Sequence, residues 1–223
     1  MIPGAIAFEF PGLFFGGLWL TIQISALGLA GSLVVGTLVA LMRVSPIAGL
    51  RWIGASFVEF FRNTPLVVQL FFLFYGLPFL GLRFSSELFE NIFRAASVGM
   101  ALYHGAYVAE VVRGGLLAVE RGQIEAARSL GLSYAQMLRE VQLPQTFRAV
   151  IPPLGNIAIA LVKNTSLAST IGVTELLGAA ETVESRTFRA EEAFIAATLL
   201  YLVLTIPLGV VVNLLERRLL VVR

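Results

Sequence analysis

Long apolar segments alternate with short polar links along the chain. Five segments carry enough apolar residues to cross a bilayer, which takes about 20 in an α-helix. They cover residues 13–42, 57–82, 95–112, 149–177 and 193–215. The fourth is interrupted by polar residues near 163–166. The pattern predicts an all-α membrane protein with about five transmembrane helices, organised as one transmembrane domain over residues 1–223.

The arginines predict how these helices are oriented. If the N-terminus lies outside, the inner links carry ten arginines: Arg43, Arg51, Arg113, Arg121, Arg128, Arg139, Arg148, Arg217, Arg218 and Arg223. The outer links carry four: Arg83, Arg94, Arg186 and Arg189. Basic residues accumulate on the cytoplasmic side of a membrane, so we expect the N-terminus outside and the C-terminus in the cytoplasm. No basic residue precedes the first segment and no cleavage pattern follows it, so we expect a retained helix.

The composition removes several classes of function. Charged residues make up 13% of the chain, against about 25% in soluble domains. There is no cysteine or aspartate, and there is one histidine. These absences exclude a thiolate zinc site, a cysteine nucleophile and a Ser-His-Asp triad, so we expect no catalytic and no metal-binding residues. The net charge is +2 without a basic run, which does not favour nucleic acid as a partner.

The polar stretch 113–148 is the longest link and is predicted to hold two short helices. Residues 123–130 are acceptable helix formers, and Gly131 suits a left-handed C-terminal cap. Ser133 can cap the second helix, with Gln136 completing a capping box. The pattern alone allows an amphipathic hairpin on the bilayer surface or a docking element for a cytoplasmic partner.

Prolines are expected to separate this loop from the membrane helix that follows. Pro144 is expected to end the second loop helix, because proline inside a helix removes a hydrogen bond. Pro152 and Pro153 then suit the entry to the next helix.

One run in the loop resembles the cytoplasmic EAA motif of ABC importer permeases: Glu125-Ala126-Ala127-Arg128-Ser129-Leu130-Gly131. Two further stretches, NTPLVVQLF and KNTSL, are similar to the polar amino acid subfamily, and the likeness covers about residues 12–217. The resemblance implies that five helices form one permease half, which pairs with a second half, identical or paralogous. It also implies a coupling helix that contacts an ATPase through Glu125, Ala126, Ala127, Arg128, Leu130 and Gly131.

The energy source is expected on other chains. A P-loop needs Gly-x-x-x-x-Gly-Lys followed by Ser or Thr, but the single lysine, Lys163, lies between Val162 and Asn164. The resemblance therefore implies two separate ATP-binding subunits that hold ATP and Mg²⁺, and no cofactor on this chain. It further implies an extracytoplasmic solute-binding protein as partner, and a location in the inner, or cytoplasmic, membrane.

Four polar residues interrupt the fourth segment and are the first candidates for binding the solute. Lys163 lies 11 residues after Pro152, or roughly 16 Å along a helix, near the middle of the membrane. An ionisable residue there is a functional candidate. Lys163, Thr165 and Ser166 could bind a carboxylate, and Asn164 could accept from an ammonium group. The alternatives are that Lys163 extends to an interface or pairs with a buried glutamate.

Two further polar residues lie deep in predicted spans. His104 is either a substrate contact or one side of a helix-to-helix hydrogen bond. Gln69 is a candidate substrate contact, although structural bonding is favoured there. In the similar subfamily the second residue of the KNTS run is often aspartate. Asn164 therefore argues against a strongly cationic substrate.

We expect the permease subunit of an ATP-driven amino acid importer that works by alternating access. The alternative is a secondary transporter of a small polar solute driven by an ion gradient. That transporter would need acidic residues inside the membrane, and the nearest are Glu59 and Glu110 close to span ends. An intramembrane hydrolase is excluded, because its sequence motifs are absent.

Overall fold

The computed structural model describes residues 5–220. Regular structure in this range is helical, which confirms the all-α prediction. The α-helices are α1 (Ile6–Glu9), α2 (Pro11–Val44), α3 (Ala48–Asn63), α4 (Leu66–Phe71), α5 (Leu77–Phe79), α6 (Leu88–Leu117), α7 (Arg121–Ser129), α8 (Tyr134–Met137), α9 (Leu143–Asn164), α10 (Leu176–Thr187) and α11 (Ala190–Leu220). Two π-helical turns, Phe72–Gly76 and Leu138–Gln142, and one 3-10 helix, Thr165–Ile171, connect some of them directly.

Among the described residues, three helices are long and apolar enough to cross a membrane: Pro11–Val44, Ala135–Ile171 and Ala190–Leu219. The pair Ala48–Asn63 and Leu66–Phe79 makes a fourth if it counts as one bent span. Helix α6 has 30 residues, about 45 Å at 1.5 Å per residue, but it is not apolar enough to be counted with them. The orientation stays a prediction, and Arg223, one of the ten inner arginines, lies outside the described residues.

The expectation of one helix over residues 57–82 is wrong. Helix α3 already begins at Ala48, and the chain bends by 106° between Asn63 and Leu66. Thr64 has extended backbone angles, φ −110° and ψ 140°. The ring of Pro65 forces this, because proline disfavours the helical conformation of the residue before it.

Pro144 does not end a loop helix, contrary to our expectation. The helical rod continues from Ala135 to Ile171, and Pro152 and Pro153 lie inside α9 instead of at its start. The predicted loop 113–148 is therefore too long. Helix α6 extends into it as far as Leu117, and the next long helical segment already begins at Ala135. The separate helix of this loop is α7.

A π-helical turn explains how the rod passes Pro144. A proline ring clashes with the carbonyl four residues earlier in an α-helix. Here the Leu143 amide bonds the Leu138 carbonyl, five residues back, so the turn before the proline is widened. The same arrangement precedes Pro78, where the Leu77 amide bonds the Phe72 carbonyl. A wider turn makes room for each ring without breaking the helix.

Helices α2 and α6 pack closely because glycines face the contact. A Cβ atom added at Gly28 would lie 2.8 Å from the Met100 Cβ, and one added at Gly36 would lie 2.7 Å from the Gly105 carbonyl oxygen. Real Cβ contacts do not come this close, so larger residues would force the helices apart. Small residues at helix contacts are the usual means of close packing inside a membrane.

We predict that Gly36→Ala destabilises the protein by about 1–3 kcal/mol, the usual cost of overpacking. The matched control is Gly16→Ala on the same helix, where an added Cβ meets nothing within 4 Å. Thermal unfolding in detergent should give a lower midpoint for Gly36→Ala alone. Equal midpoints for the two variants would contradict the close approach of α2 to α6.

Candidate functional site

The helix type changes at the polar run of the fourth span. Helix α9 ends at Asn164, and a 3-10 helix follows from Thr165 to Ile171. Gly172 then takes the left-handed conformation with φ +94°. Its amide bonds the Ser169 carbonyl at 2.9 Å, and the Val173 amide bonds the Ala168 carbonyl at 3.1 Å. This is the Schellman pattern that ends a helix, and it returns the chain toward α10.

The four predicted solute-binding residues of this run do not share one surface. Lys163 is exposed, while Asn164 and Ser166 are half-buried. Thr165 is 0% exposed, and its hydroxyl donates to the Val162 carbonyl at 2.8 Å. Thr165 therefore packs inside the bundle, and the prediction that it contacts the solute is wrong. No ion pair to Lys163 occurs among the described residues, so the alternative pairing with a buried glutamate is not seen.

The structure brings His104 and Asn164 together. His104 Nε2 on α6 lies 3.1 Å from Asn164 Nδ2 at the end of α9. His104 Nδ1 lies 3.0 Å from the Met100 carbonyl oxygen. The imidazole is 2% exposed, so it reaches the half-buried Asn164 from the inner side of the bundle. The helix-to-helix hydrogen bond predicted for His104 is therefore present, and its partner is Asn164, one of the predicted solute-binding residues.

Gln69 stabilises the bend between α3 and α4. Its Nε2 lies 3.0 Å from the Phe61 carbonyl oxygen, 3.1 Å from the Thr64 carbonyl oxygen and 2.7 Å from the Thr64 hydroxyl. The amide nitrogen is therefore used within its own segment. This geometry fits the structural interpretation of Gln69 better than a role in solute binding.

Glu175 is a fully buried carboxylate that our sequence interpretation missed. It is 0% exposed and precedes α10, where it accepts hydrogen bonds from the amides of Leu177 at 2.8 Å and Gly178 at 3.0 Å. It also accepts from the Thr21 hydroxyl of α2 at 3.4 Å and from the Tyr201 hydroxyl of α11. Four donors from three helices thus surround one carboxylate.

The position of Glu175 corrects one premise of the sequence analysis. Glu59 and Glu110 are not the best candidates for an acid inside the bundle, because Glu175 is 0% exposed, whereas Glu59 is exposed and Glu110 is half-buried. One signal could have found it: a lone glutamate in the apolar stretch that follows the KNTSL run. Its hydroxyl partners, Thr21 and Tyr201, are 154 and 26 residues away in the chain, so no local pattern could have found them.

The predicted inner end of α6 is held by charged and aromatic contacts. Glu110 forms ion pairs with Arg43 of α2 and with Arg113, the latter at 2.8 Å. The Arg62 guanidinium lies 5.4 Å from the centre of the Tyr107 ring, within reach of a cation–π contact. These contacts join α2, α3 and α6 at one end.

The predicted outer end has its own ion pairs. The Arg189 guanidinium donates to Glu192 through Nε at 2.8 Å and to Glu9 through Nη1 at 2.6 Å. The hydrogen bonds that Arg189 donates, first to Glu192 and then to Glu9, raise its pKa above the ordinary value. This pairing ties the short α1 to the start of α11.

The loop helix α7 ends as the sequence predicted. Gly131 is left-handed with φ +80°, its amide bonds the Arg128 carbonyl at 2.9 Å, and the Leu132 amide bonds the Ala127 carbonyl at 3.2 Å. The capping box is also confirmed, because Gln136 Oε1 accepts from the Ser133 amide at 3.0 Å and the Ser133 hydroxyl accepts from the Gln136 amide at 3.4 Å.

This turn exposes an apolar side chain. Leu130 is 83% exposed, while Ala127 is buried at 4%. The remaining predicted contact residues are exposed: Glu125, Ala126, Arg128 and Gly131. Five of the six predicted contact residues are therefore open to a partner, and Ala127 attaches the helix to the protein.

Comparison with known proteins identifies the family. Residues 32–221 match the family of inner membrane components of binding-protein-dependent transport systems. The chain belongs to this family. It is therefore a multi-pass protein of the inner membrane, and its fold is that of an ABC transporter permease.

Several members of the family are similar over nearly their whole length. A protein of Bacillus subtilis (strain 168), named as the probable glutamine ABC transporter permease GlnM, is 41% identical over 96% of this chain and 97% of its own. The glutamate transport system permease GluC of Corynebacterium efficiens is 42% identical over 86% of this chain and 87% of its own. The crystal structure of an amino acid ABC transporter with histidines has a chain that is 33% identical, with a TM-score of 0.88, covering 98% of this chain and 99% of that one.

We predict that Tyr201→Phe destabilises this permease, because it removes one of the four donors to the buried Glu175. Loss of a bond to a buried charged or polar group costs about 1–3 kcal/mol. Tyr75→Phe is the control, since Tyr75 is 57% exposed and its hydroxyl has no hydrogen bond in the described part of the chain. Thermal unfolding should separate the two variants. If both unfold like the unchanged protein, the contact of Tyr201 with Glu175 is not important for stability.

Proposed function

We propose that this chain is one permease half of an ATP-driven amino acid importer. The main support is its 41% identity, over nearly the full length of both chains, with the Bacillus subtilis protein named as the probable glutamine ABC transporter permease. The solved transporter with a TM-score of 0.88 is also an amino acid ABC transporter. A second permease half, identical or paralogous, and two ATP-binding subunits complete the membrane complex, and an extracytoplasmic solute-binding protein delivers the amino acid.

The half-buried end of α9 is the proposed solute contact. Lys163 offers a cation to the carboxylate of an amino acid, and the hydroxyl of Ser166 and the amide of Asn164 add neutral hydrogen-bonding groups. Lys163 is exposed on a segment where a charge in lipid would be costly. We infer that this face lines the path between the two permease halves, where water and solute replace lipid.

The α7 turn is the proposed contact with the ATPase. The exposed Leu130 suits an apolar groove, and Glu125 and Arg128 suit its charged rim. ATP and Mg²⁺ bind the partner, and ATP binding there moves the α7 turn. The chain itself then alternates between outward and inward openings without covalent chemistry.

The contacts of two carboxylates, Glu175 and Glu110, do not favour a carrier driven by an ion gradient. Glu175 has four donors from the protein, and Glu110 is paired with two arginines. Neither carboxylate is free to take up and release an ion in step with the solute.

The test is uptake by the complete complex in proteoliposomes, with glutamine as the first probe. We expect uptake that requires ATP and the solute-binding protein and continues when ion gradients are collapsed. A non-hydrolysable ATP analogue is the control. Uptake that ignores ATP and follows an imposed proton or sodium gradient would establish the secondary transporter instead.

We predict that Leu130→Ser weakens binding of the ATP-binding subunits by roughly tenfold or more, because burying a leucine at an interface stabilises it by about 1.5–3 kcal/mol. The fold should be unchanged, since the side chain is exposed. Leu82→Ser is the control: Leu82 is 60% exposed and adjoins a turn of the same type at Gly81, before the start of α6. Co-purification at graded salt and thermal unfolding measure both effects. Retained co-purification in Leu130→Ser would remove this turn as the contact.

A further inference from the structure

The ring proton of His104 is located by its contact within α6. Nδ1 lies 3.0 Å from the Met100 carbonyl oxygen, and a carbonyl oxygen can only accept, so Nδ1 must donate. A neutral imidazole that donates from Nδ1 has only a lone pair at Nε2. Nε2 lies 3.1 Å from Asn164 Nδ2. The Asn164 amide therefore donates to the ring and turns its Oδ1 away from it.

The surroundings provide nothing that would hold a second proton on the ring. Tyr103 packs edge-on against it, with ring centres 5.1 Å apart, and its hydroxyl bonds that of Tyr107 at 3.1 Å. No carboxylate contacts His104 in the part of the chain that the structure describes. A cationic ring inside the bundle would need such a partner, and the neighbour of Asn164 is instead the cation Lys163.

The orientation of Asn164 decides what the solute meets. The carboxamide has one face that donates and one that accepts, and an exposed asparagine turns either face outward. Here the lone pair of His104 holds the donating face inward. The Oδ1 atom makes no hydrogen bond within residues 5–220, so it is available on the half-buried side beside Lys163 and Ser166.

We propose that His104 is a positioning residue that fixes the Asn164 carboxamide with Oδ1 toward the solute, and that this arrangement selects amino acids with an uncharged donor in the side chain over cationic ones. It rests on the import function proposed above. The Lys163 ammonium binds the carboxylate of the solute, and Oδ1 accepts from an uncharged N–H group. A cationic side chain would lie near Lys163 with no carboxylate to offset the repulsion.

The first experiment observes the ring directly. His104 is the single histidine of the chain, so permease labelled with ¹⁵N-histidine and combined with unlabelled ATP-binding subunits gives imidazole signals that need no assignment. We expect a neutral ring with its proton on Nδ1, and a changed Nε2 signal in Asn164→Ala. A proton on Nε2, a doubly protonated ring, or an unchanged Nε2 signal in that variant would overturn the proposed positioning.

The second experiment measures what the positioning does to transport. In proteoliposomes, His104→Leu should raise the KM for glutamine roughly three- to tenfold, the size of one lost hydrogen bond. His104→Gln should bring the KM most of the way back to that of the unchanged protein, because the side-chain amide oxygen of the introduced residue can accept from Asn164. Ser97→Ala is the control on α6. Ser97 is buried, and within residues 5–220 its hydroxyl bonds the Phe93 carbonyl alone, so the KM of this variant should not change. Equal KM values for His104→Leu and His104→Gln would overturn the proposal.

The selectivity is tested by competition in the unchanged complex. Arginine should compete poorly with labelled glutamine, and His104→Leu should narrow the difference between arginine and unlabelled glutamine as competitors. Arginine that competes as well as glutamine overturns the selectivity. Absence of ATP-driven uptake of any amino acid overturns the import function instead, and the ring signals then still decide the positioning of Asn164.

Discussion

The bundle depends on satisfying one carboxylate that has no contact with solvent. Glu175 accepts hydrogen bonds from two amides at the start of α10, from one hydroxyl of α2 and from one hydroxyl of α11. A buried polar group without partners destabilises a fold strongly, so these three helices must meet where they do. The 3-10 helix before Glu175 is fixed by the same requirement, and with it the end of α9, where Lys163 and Asn164 lie. The candidate solute surface therefore depends on a residue that lies outside it.

Apolar periods and helix caps could be predicted because they are local. The long apolar runs gave the all-α membrane fold, and Gly131 and Ser133 gave the loop turn, since each acts within a few residues. Proline was misjudged in both directions. Pro65 bends the chain because the Thr64 before it is forced into an extended conformation. Pro144 does not break its helix, because a π-helical turn precedes it. Only the hydrogen-bond pattern of the preceding turn separates these cases, and composition does not reveal it.

The candidate site could be predicted in part for a related reason. A polar run inside a predicted apolar span is a functional candidate, and this pattern was enough to name Lys163 and Asn164 as candidates. It could not show that Thr165 turns inward, because that depends on the change from α-helix to 3-10 helix. Nor could it join His104 to Asn164, which are 60 residues apart in the chain. Contacts between distant residues determine the chemistry here, and a single sequence does not contain them.

The π-helical turn before Pro144 has a mechanical consequence. Because the turn absorbs the proline, residues 135–171 form one uninterrupted rod of about 55 Å at 1.5 Å per residue. One end of this rod adjoins the loop turn, and the polar residues Lys163 and Asn164 lie near its other end. In the proposed transport cycle the rod then acts as a lever, because a tilt imposed at the loop is carried to the polar residues along one continuous helical segment.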